Sequence, residues 1–256
     1  MRAALQVPPG LKILDLGCGS GAFLAELASL RPKLLDALDP NQAMIDKALE
    51  RVRISPLVGA EEVHIRRGDI TGLDASSYDV VVCAQILQNL TPDPERAPGA
   101  RATFLSQVLR LLKPGGKLVL TTRAVSTGAA GRWSDLYWYA DPAVVPRAVR
   151  IMERMVPRDP LAEMARAGFS GCKLLASKDT VVRPDAYLEP FSVKNPSFRA
   201  ADSFFQHVRS DELRSLLANI ERRAASETLD EYVRSRDALR EGNGHVATIV
   251  GYKPAD

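Results

Sequence analysis

Residues 13–23 read ILDLGCGSGAF, and the interpretation of the whole 256-residue chain starts from this segment. A short apolar strand runs into glycines at positions 17, 19 and 21, and apolar residues then recur with the period of a helix. Glycines at such a turn let a ligand approach the backbone, and the helix N-terminus offers unpaired amides to a negative group. The segment also contains Gly-x-Gly-x-x-Ala, so a dinucleotide-binding fold is one interpretation.

Short apolar strands alternate with amphipathic helices on either side of this segment. The predicted strands are residues 12–16, 34–38, 63–66, 79–83, 117–122, 172–182 and 246–252. Helices are predicted to begin after Asn41, Asp141, Asp159, Ser210 and Thr228, each of which is a typical N-terminal capping residue. Helical patterns also follow the first strand, at 23–30, and the fourth strand, at 105–112. Because helices alternate with strands in this part of the chain, the pattern predicts an α/β fold with a parallel sheet that is covered on both faces.

The last two predicted strands are separated by about 60 residues that contain two helices, whereas a hairpin needs only a few. The additional residues therefore form a subdomain. Ligands of open α/β sheets bind at the carboxyl ends of the strands. We expect the subdomain to cover that edge as a helical cap.

Three acidic residues lie at or just beyond the ends of three successive predicted strands. Asp15 precedes the first glycine by two residues, where a carboxylate would repel a pyrophosphate but would suit an ammonium group. Asp39 closes the second strand, 22 residues after Gly17, where an acid can bind both hydroxyls of a ribose. Asp69 follows the third strand, where a carboxylate can accept a hydrogen bond from an adenine amino group.

Five segments together resemble the class I S-adenosylmethionine-dependent methyltransferases. They are LDLGCGSG at 14–21, ALDPN at 37–41, RGDI at 67–70, YDVVV at 78–82 and LLKPGGKL at 111–118. The resemblance implies a Rossmann-like, seven-stranded, mostly parallel sheet with an antiparallel last strand. It also implies S-adenosyl-L-methionine as the cofactor, and methyl transfer by in-line SN2 displacement.

Carried over residue by residue, the resemblance assigns Asp15 to the ammonium of the cofactor, Asp39 to its ribose and Asp69 to its adenine. The expected cofactor-binding residues are Asp15, Gly17, Cys18, Gly19, Gly21, Asp39, Pro40, Met44, Asp69, Ile70, Cys83 and Ala84. Residues 1–123 would form the cofactor-binding half. Residues 124–256 would form the remainder of the sheet, with cap insertions at about 124–158 and 184–243.

The expected acceptor is a small molecule, with a carboxylate or another oxygen nucleophile as the candidate group. Two catalytic candidates are His207, as a general base, and Gln85, which would orient the acceptor. Expected substrate-binding residues are Gln85, Arg132, Trp133, Tyr137, Trp138 and His207. The aromatic residues among them are equally compatible with a packing role in the cap.

Composition and charge limit the classes of ligand and the location that we expect for this protein. The net charge is +3, and residues 101–256 carry 24 basic against 18 acidic side chains. This excess is too dispersed to indicate nucleic-acid binding, but it is compatible with an anionic acceptor or with a solvated basic surface. Three cysteines do not provide a four-ligand zinc site, so we expect no metal. The absence of an apolar run long enough for a membrane span or a secretory leader predicts a cytoplasmic protein.

Other interpretations of the sequence remain open at this point. An RNA or protein methyltransferase would share the same cofactor segments, and so would a protein that binds the cofactor without turnover. A nicotinamide oxidoreductase is compatible with the glycine turn, although Asp15 and Asp69 disfavour it.

Overall fold

The computed structural model describes residues 4–123, 137–177, 184–243 and 246–255. Its strands are β1 (Lys12–Leu16), β2 (Leu34–Asp39), β3 (Glu62–Arg67), β4 (Tyr78–Ala84), β5 (Leu112–Thr122), β6 (Ser170–Ser177) and β7 (Val246–Tyr252). Within these residues they form one seven-stranded sheet in the order β3-β2-β1-β4-β5-β7-β6. The first five strands are parallel, and β7 runs antiparallel to both β5 and β6. The predicted Rossmann-like α/β fold with an antiparallel last strand is confirmed.

Helices lie along the chain between and after the strands. They are α1 (Leu24–Ala28), α2 (Gln42–Ile54), α3 (Ala97–Leu111), α4 (Pro146–Met155), α5 (Pro160–Arg166), α6 (Pro184–Leu188), α7 (Pro196–Ala201), α8 (Ser210–Ala225) and α9 (Leu229–Asn243). Buried apolar residues of α1 and α2 cover one face of the sheet, and those of α3 cover the other. Strand β1 lies between β2 and β4, so the connections leave it in opposite directions and open a crevice at its carboxyl end.

Two of the predicted helix caps are confirmed by hydrogen bonds. The side chain of Asn41 accepts from the Ala43 amide at 3.0 Å, and that of Asp159 accepts from the Ala162 amide at 2.9 Å. Each cap satisfies an amide that has no partner within its own helix.

Two other predicted helix starts are shifted. The helix predicted to begin after Asp141 begins only at Pro146, because Asp141 instead closes a turn by accepting from the Ala143 amide. The helix predicted to be capped by Ser210 has Arg209 as its capping residue, and Ser210 is its first helical residue.

Strand boundaries also differ from the predictions at two places. Strand β5 begins at Leu112, directly after α3, and therefore includes the Pro114–Gly116 segment that the sequence indicates as a turn. Strand β6 begins two residues earlier than predicted and is described as far as Ser177.

A third apolar core lies outside the two faces of the sheet. Tyr137, Trp138 and Tyr139 are fully buried in it, together with residues of α4, α8 and α9. Glu212 of α8 is buried and accepts from the Arg147 and Ala148 amides at 2.8 and 3.2 Å, which caps the N-terminus of α4. This core is made almost entirely of residues 137–156 and 187–233, which belong to the segments expected to form the cap.

Two kinds of feature are missing from the described residues. No helix among them combines the length and apolarity that a membrane span requires. In the same part of the chain, no group of three or more His, Cys, Asp or Glu side chains is arranged to hold a metal ion.

A candidate ligand site at the carboxyl edge of the sheet

The glycine turn after β1 is held against the end of β2 by backbone hydrogen bonds. The Gly17 and Cys18 amides both donate to the Leu38 carbonyl, at 2.7 and 2.9 Å. Gly19 and Gly21 have φ values of +54° and +75°, in the left-handed region that favours glycine. Hydrogen bonds to β2 therefore fix the backbone conformation of the turn, and Gly19 and Gly21 expose no side chain there.

The two later glycines of the turn serve different purposes. A Cβ on Gly21 would lie 3.1 Å from the Cβ of Ala48, so this glycine is needed for packing of the turn against α2. A Cβ on Gly19 would meet nothing within 4 Å. The backbone at Gly19 thus borders open space, as expected where a ligand contacts main chain.

Asp39 connects the glycine turn to the start of α2. Its Oδ2 accepts from the Gly19 amide at 2.9 Å, and its Oδ1 accepts from the Asn41 amide at 2.9 Å. The side chain is half-buried, and each carboxylate oxygen retains capacity for a second hydrogen bond. Asp39 can therefore stabilise the turn and still accept from two hydroxyl groups of a ligand.

Asp15 is the least satisfied polar residue of the site. It is 1% exposed, and neither carboxylate oxygen has a hydrogen-bond partner. Burial, and then the charge of Asp39, raise the pKa of Asp15 to about 7. A buried carboxylate without a partner is costly, and a ligand cation beside it would remove that cost. The residues present thus fit the ammonium group of the cofactor that the resemblance implies.

The cysteines near Asp15 are not nucleophiles. Burial and the charges of Asp15 and Asp39 raise the pKa of Cys18 to about 12. Burial and the charge of Asp15 raise the pKa of Cys83 well above its ordinary value. Both thiols stay protonated at neutral pH, so their neighbourhood suits space-filling contacts with a ligand.

The third acidic residue stands at the end of β3. Asp69 is exposed, and its Oδ1 accepts from both the amide and the hydroxyl of Thr71, which lowers the pKa of Asp69. Asp69 caps a short 3₁₀ helix that begins at Ile70, whose side chain is buried against Leu38 and its neighbours. The carboxylate is therefore ionised and available as a hydrogen-bond acceptor at the same edge of the sheet.

The remaining expected adenine neighbours lie around α2. Pro40 is exposed, and its carbonyl accepts from Nε of Arg67 at 3.2 Å. Met44 lies half-buried in the first turn of α2. The topology thus places the predicted cofactor residues at the ends of β1, β2, β3 and β4, which are neighbours in the sheet.

Gln85 follows β4 in a conformation that is unusual for a residue with a side chain. Its φ is +58°, and its amide donates to the Thr121 carbonyl at 2.9 Å. Its carbonyl accepts from the side-chain amides of Gln88 and Asn89, at 2.9 and 3.1 Å. Strained backbone of this kind persists where its surroundings hold it in place, and it is frequent at functional sites.

Three polar groups beside Gln85 were not among the sequence candidates. Gln88, Thr122 and Arg123 are all buried, and Gln88 Oε1, Thr122 Oγ1 and Arg123 Nε have no hydrogen-bond partner. Gln88 lies in the 3₁₀ helix after β4, Thr122 is the last residue of β5, and Arg123 follows it. Their only signal in the sequence is a polar residue at the end of an apolar strand, which is too common to single them out.

Arg123 is anchored to the cap. Its Nη1 donates to Asp202 Oδ1 at 2.8 Å, and its guanidinium lies 5.3 Å from the centre of the Tyr137 ring. The hydroxyl of Tyr139 donates to the other oxygen of Asp202 at 2.5 Å. This buried ion pair joins the end of β5 to the segment before α8.

Four of the predicted substrate-binding residues lie between Arg132 and Trp138, and the structure describes two of them. Arg132 and Trp133 lie outside the described residues. Trp138 is fully buried, and its indole nitrogen and its amide donate to the carbonyl and hydroxyl of Tyr187 at 2.6 and 3.1 Å. Tyr137 is also fully buried. Their positions correspond to packing within the cap, and a contact of either residue with substrate stays a prediction.

His207 follows the 3₁₀ helix at residues 203–206 and is half-buried. Burial, and then the charge of Arg147, lower the pKa of His207 below its ordinary value of 6.5. The side chain is therefore neutral at pH 7 and able to accept a proton. Among the contacts of the described residues, none joins its ring to Gln85 or to the glycine turn. Its role as a base stays a prediction.

Comparisons with known proteins agree with this geometry. Residues 14–118 match the family model of a methyltransferase domain. A ubiquinone biosynthesis O-methyltransferase from Xanthomonas oryzae pv. oryzae is 34% identical over 119 residues, which is 44% of this chain and 43% of the relative. The chain thus spans less than half the length of this curated relative. The span of the family model, residues 14–118, includes the glycine turn and Gln88, and excludes Arg123 and the cap.

Two solved structures extend the likeness to nearly the whole chain. One, from Anabaena variabilis, is described as a methyltransferase from an antibiotic biosynthesis pathway; it has a TM-score of 0.66 at 16% identity and covers 97% of this chain and 93% of its own. The other is phosphoethanolamine N-methyltransferase 2 of Haemonchus contortus with S-adenosylhomocysteine; it has a TM-score of 0.54 at 16% identity and covers 99% of this chain and 51% of its own. At such identities the likeness shows the fold.

Proposed function

We propose that the protein is a class I S-adenosylmethionine-dependent methyltransferase that methylates an oxygen atom of a small molecule, because residues 14–118 match the family model of a methyltransferase domain and part of the chain is 34% identical to a ubiquinone biosynthesis O-methyltransferase. The observation that carries the proposal is the buried carboxylate of Asp15, which has no partner and lies beside the open backbone at Gly19. S-adenosyl-L-methionine, when bound, supplies a methyl group already activated by its sulfonium.

The residues of this chain mainly bind and orient the cofactor. Asp15 would hold its ammonium, directly or through a water molecule, and the backbone at Gly19 would border its methionine portion. Asp39, fixed by the Gly19 and Asn41 amides, would accept from the ribose hydroxyls. Asp69 would accept from the adenine amino group. Each such hydrogen bond contributes about 1–3 kcal/mol when one partner is charged, so several together support micromolar affinity.

The acceptor side of the proposal rests on the polar groups between β4 and β5. Gln88 Oε1 and Thr122 Oγ1 can accept from a hydroxyl of the acceptor, and Arg123 Nε can donate to a neighbouring oxygen. A buried donor or acceptor left unpaired costs about 1–3 kcal/mol, so an acceptor molecule that pairs with these groups is favoured over an apolar one. The basic excess of residues 101–256 is compatible with an anionic acceptor.

Besides binding the cofactor and the acceptor, the chain would exclude water from the site of methyl transfer. The fully buried aromatic core around Tyr139 and Phe204 fixes the cap, and Asp202 connects that core to the end of β5 through Arg123. A covered site strengthens the electrostatic interactions within it and protects the methyl donor from hydrolysis. In-line alignment of an oxygen with the methyl group then requires positioning, which Gln85 and Gln88 would provide.

Two measurements test the proposal: binding of the demethylated cofactor and transfer of a labelled methyl group. Calorimetric titration with S-adenosylhomocysteine should give micromolar affinity for the unmodified protein. Radiolabelled S-adenosylmethionine should then label a small-molecule extract, with RNA and protein fractions as parallel acceptors. Binding without any labelled product would refute the enzymatic part, and labelled RNA or protein would refute the small-molecule part.

A separate variant tests whether Gln88 binds the acceptor. Gln88→Leu should lower kcat/KM for the labelled acceptor by at least about tenfold, the effect of one lost buried hydrogen bond, while leaving the affinity for S-adenosylhomocysteine unchanged. Gln42→Leu is the matched control, because Gln42 is exposed on α2 and pairs with Asp46. Equal activity of the two variants would remove Gln88 from the acceptor site.

A further inference from the structure

Strand β3 forms one edge of the sheet. In the described part of the chain it pairs with β2 alone, from Glu62 opposite Leu34 to Arg67 opposite Asp39. Its outer edge therefore presents backbone amides and carbonyls that can pair with another strand.

The side chains of β3 alternate strictly between the two faces of the sheet. Glu62, His64 and Arg66 form a polar row on one face, where His64 Nδ1 lies 3.0 Å from Asp36 Oδ1. Val63 and Ile65 form an apolar row on the other face.

The apolar row continues into a surface groove beside α2. The apolar residues of this groove are Leu49, Val52, Pro56, Leu57, Val63 and Ile65. Leu49 is 47% exposed, Ile54 at the end of α2 is 72% exposed, and Val58 on the connection from α2 to β3 is 79% exposed. Exposed large apolar side chains therefore recur at Leu49, Ile54 and Val58 along the segment of chain that leads into this edge strand.

We propose that a second copy of this chain pairs with β3 through its own β3, antiparallel and related by a two-fold axis at His64. Residues opposite each other across such an axis must lie on the same face, so only registers centred on a residue are allowed. With His64 at the centre, Glu62 faces Arg66 of the partner subunit, and Val63 faces Ile65 of the partner subunit. Opposite charges and apolar side chains are thereby matched on both faces.

The neighbouring registers match poorly. Centring on Ile65 places Arg66 opposite His64 and Arg67 opposite Val63. Centring on Val63 places Glu62 opposite His64 and Glu61 opposite Ile65. The charge complementarity of the strand therefore favours a single register, with a symmetric interface in which each contact occurs twice. Glu62 Oε1 lies 2.9 Å from His64 Nε2 of the same strand, but 61% of the Glu62 side chain is exposed, so its other carboxylate oxygen is available to a partner.

The two-fold axis also brings the groove of each copy beside the strand of the other. The groove lies on the face that carries Val63 and Ile65, and both copies present that face on the same side of the extended sheet. Pairing would cover part of the exposed apolar surface at Leu49, in the manner of symmetric interfaces that are more apolar than the remaining surface.

Sedimentation velocity across a range of protein concentrations tests the pairing by charge reversal. The unmodified protein should sediment as a dimer. Glu62→Arg and Arg66→Glu should each weaken the dimer by at least about tenfold, because they place like charges opposite each other. The double variant should restore association to within about threefold of the original. Lys173→Glu, on the opposite edge strand β6, is the matched control and should leave association unchanged.

A cross-link keeps the test independent of the stability of these variants. His64→Cys places two thiols opposite each other at the axis, within the Cα separation of about 4.4–6.8 Å that a disulfide spans. Oxidation should convert this variant to a covalent dimer, whereas Lys173→Cys should remain uncoupled. A monomer at all concentrations, or charge reversal without rescue in the double variant, would overturn the proposal.

Discussion

Replacing Asp15 by asparagine should stabilise the ligand-free protein at pH 8 while weakening its affinity for S-adenosylhomocysteine. Asp15 is fully buried, and neither of its oxygens has a partner. Its pKa is about 7 in the folded protein, against 3.8 for an ordinary Asp. The folded state therefore retains a proton that the unfolded chain loses, and its stability falls as the pH rises between these two values.

The magnitude follows from the two pKa values. Each unit of difference corresponds to ~1.4 kcal/mol, so the raised pKa of Asp15 lowers the stability of the folded protein, relative to low pH, by about 4 kcal/mol at pH 8 and about 1.5 kcal/mol at pH 5. Asparagine does not ionise, so the stability advantage of Asp15→Asn should widen by about 2.5 kcal/mol from pH 5 to pH 8. At about 2–4 °C per kcal/mol for a chain of this size, the difference in Tm should widen by about 5–10 °C.

Thermal melting of the two proteins at pH 5 and pH 8, without ligand, measures this difference. Asp36→Asn is the matched control, because Asp36 is a buried carboxylate on the neighbouring strand with two partners, Tyr78 and His64. That variant should lower Tm at pH 8, since it removes a satisfied acceptor. A constant difference between Asp15→Asn and the unmodified protein at both pH values would refute the reasoning, and so would undiminished affinity for S-adenosylhomocysteine.

Three further outcomes are expected. Gly19→Val should abolish binding of S-adenosylhomocysteine in calorimetry, because the valine side chain would occupy the open space beside the turn. Gly21→Ala should chiefly lower Tm, because the added Cβ would crowd α2. The reverse pattern in these two variants would contradict the proposed site. Arg123→Ala should lower the urea-derived free energy of unfolding by about 3–5 kcal/mol, because it leaves Asp202 buried without its cation. A loss below about 1 kcal/mol would contradict a stabilising role for this ion pair. His207→Gln should remove the acid limb of the kcat/KM profile, which lies below pH 6.5, and an unchanged profile would exclude His207 as the base.

The cofactor side of the site is predictable from sequence for a physical reason. Asp15, Asp39 and Asp69 each end a strand, and parallel strands bring their carboxyl ends to one edge. Local rules of helix capping likewise predict the roles of Asn41 and Asp159. In all these positions the relevant partner lies a few residues away or is fixed by the topology of the sheet.

The acceptor side is less predictable because its partners are distant in sequence. Asp141 has the features of a helix cap, but its second oxygen accepts from the hydroxyl of Tyr232 at 2.8 Å, 91 residues later. Arg123 becomes a site candidate only because Asp202, 79 residues later, holds it in place. Periodicity and spacing report neither contact, so the sequence predicts a cap segment but not the contacts within it.

A crystal structure with S-adenosylhomocysteine tests the central claim most directly. The amino nitrogen of the ligand should lie within about 3.2 Å of an Asp15 oxygen, or be joined to it by one water molecule, with its ribose hydroxyls at the Asp39 carboxylate. A ligand bound elsewhere, with Asp15 still lacking any partner, would contradict it.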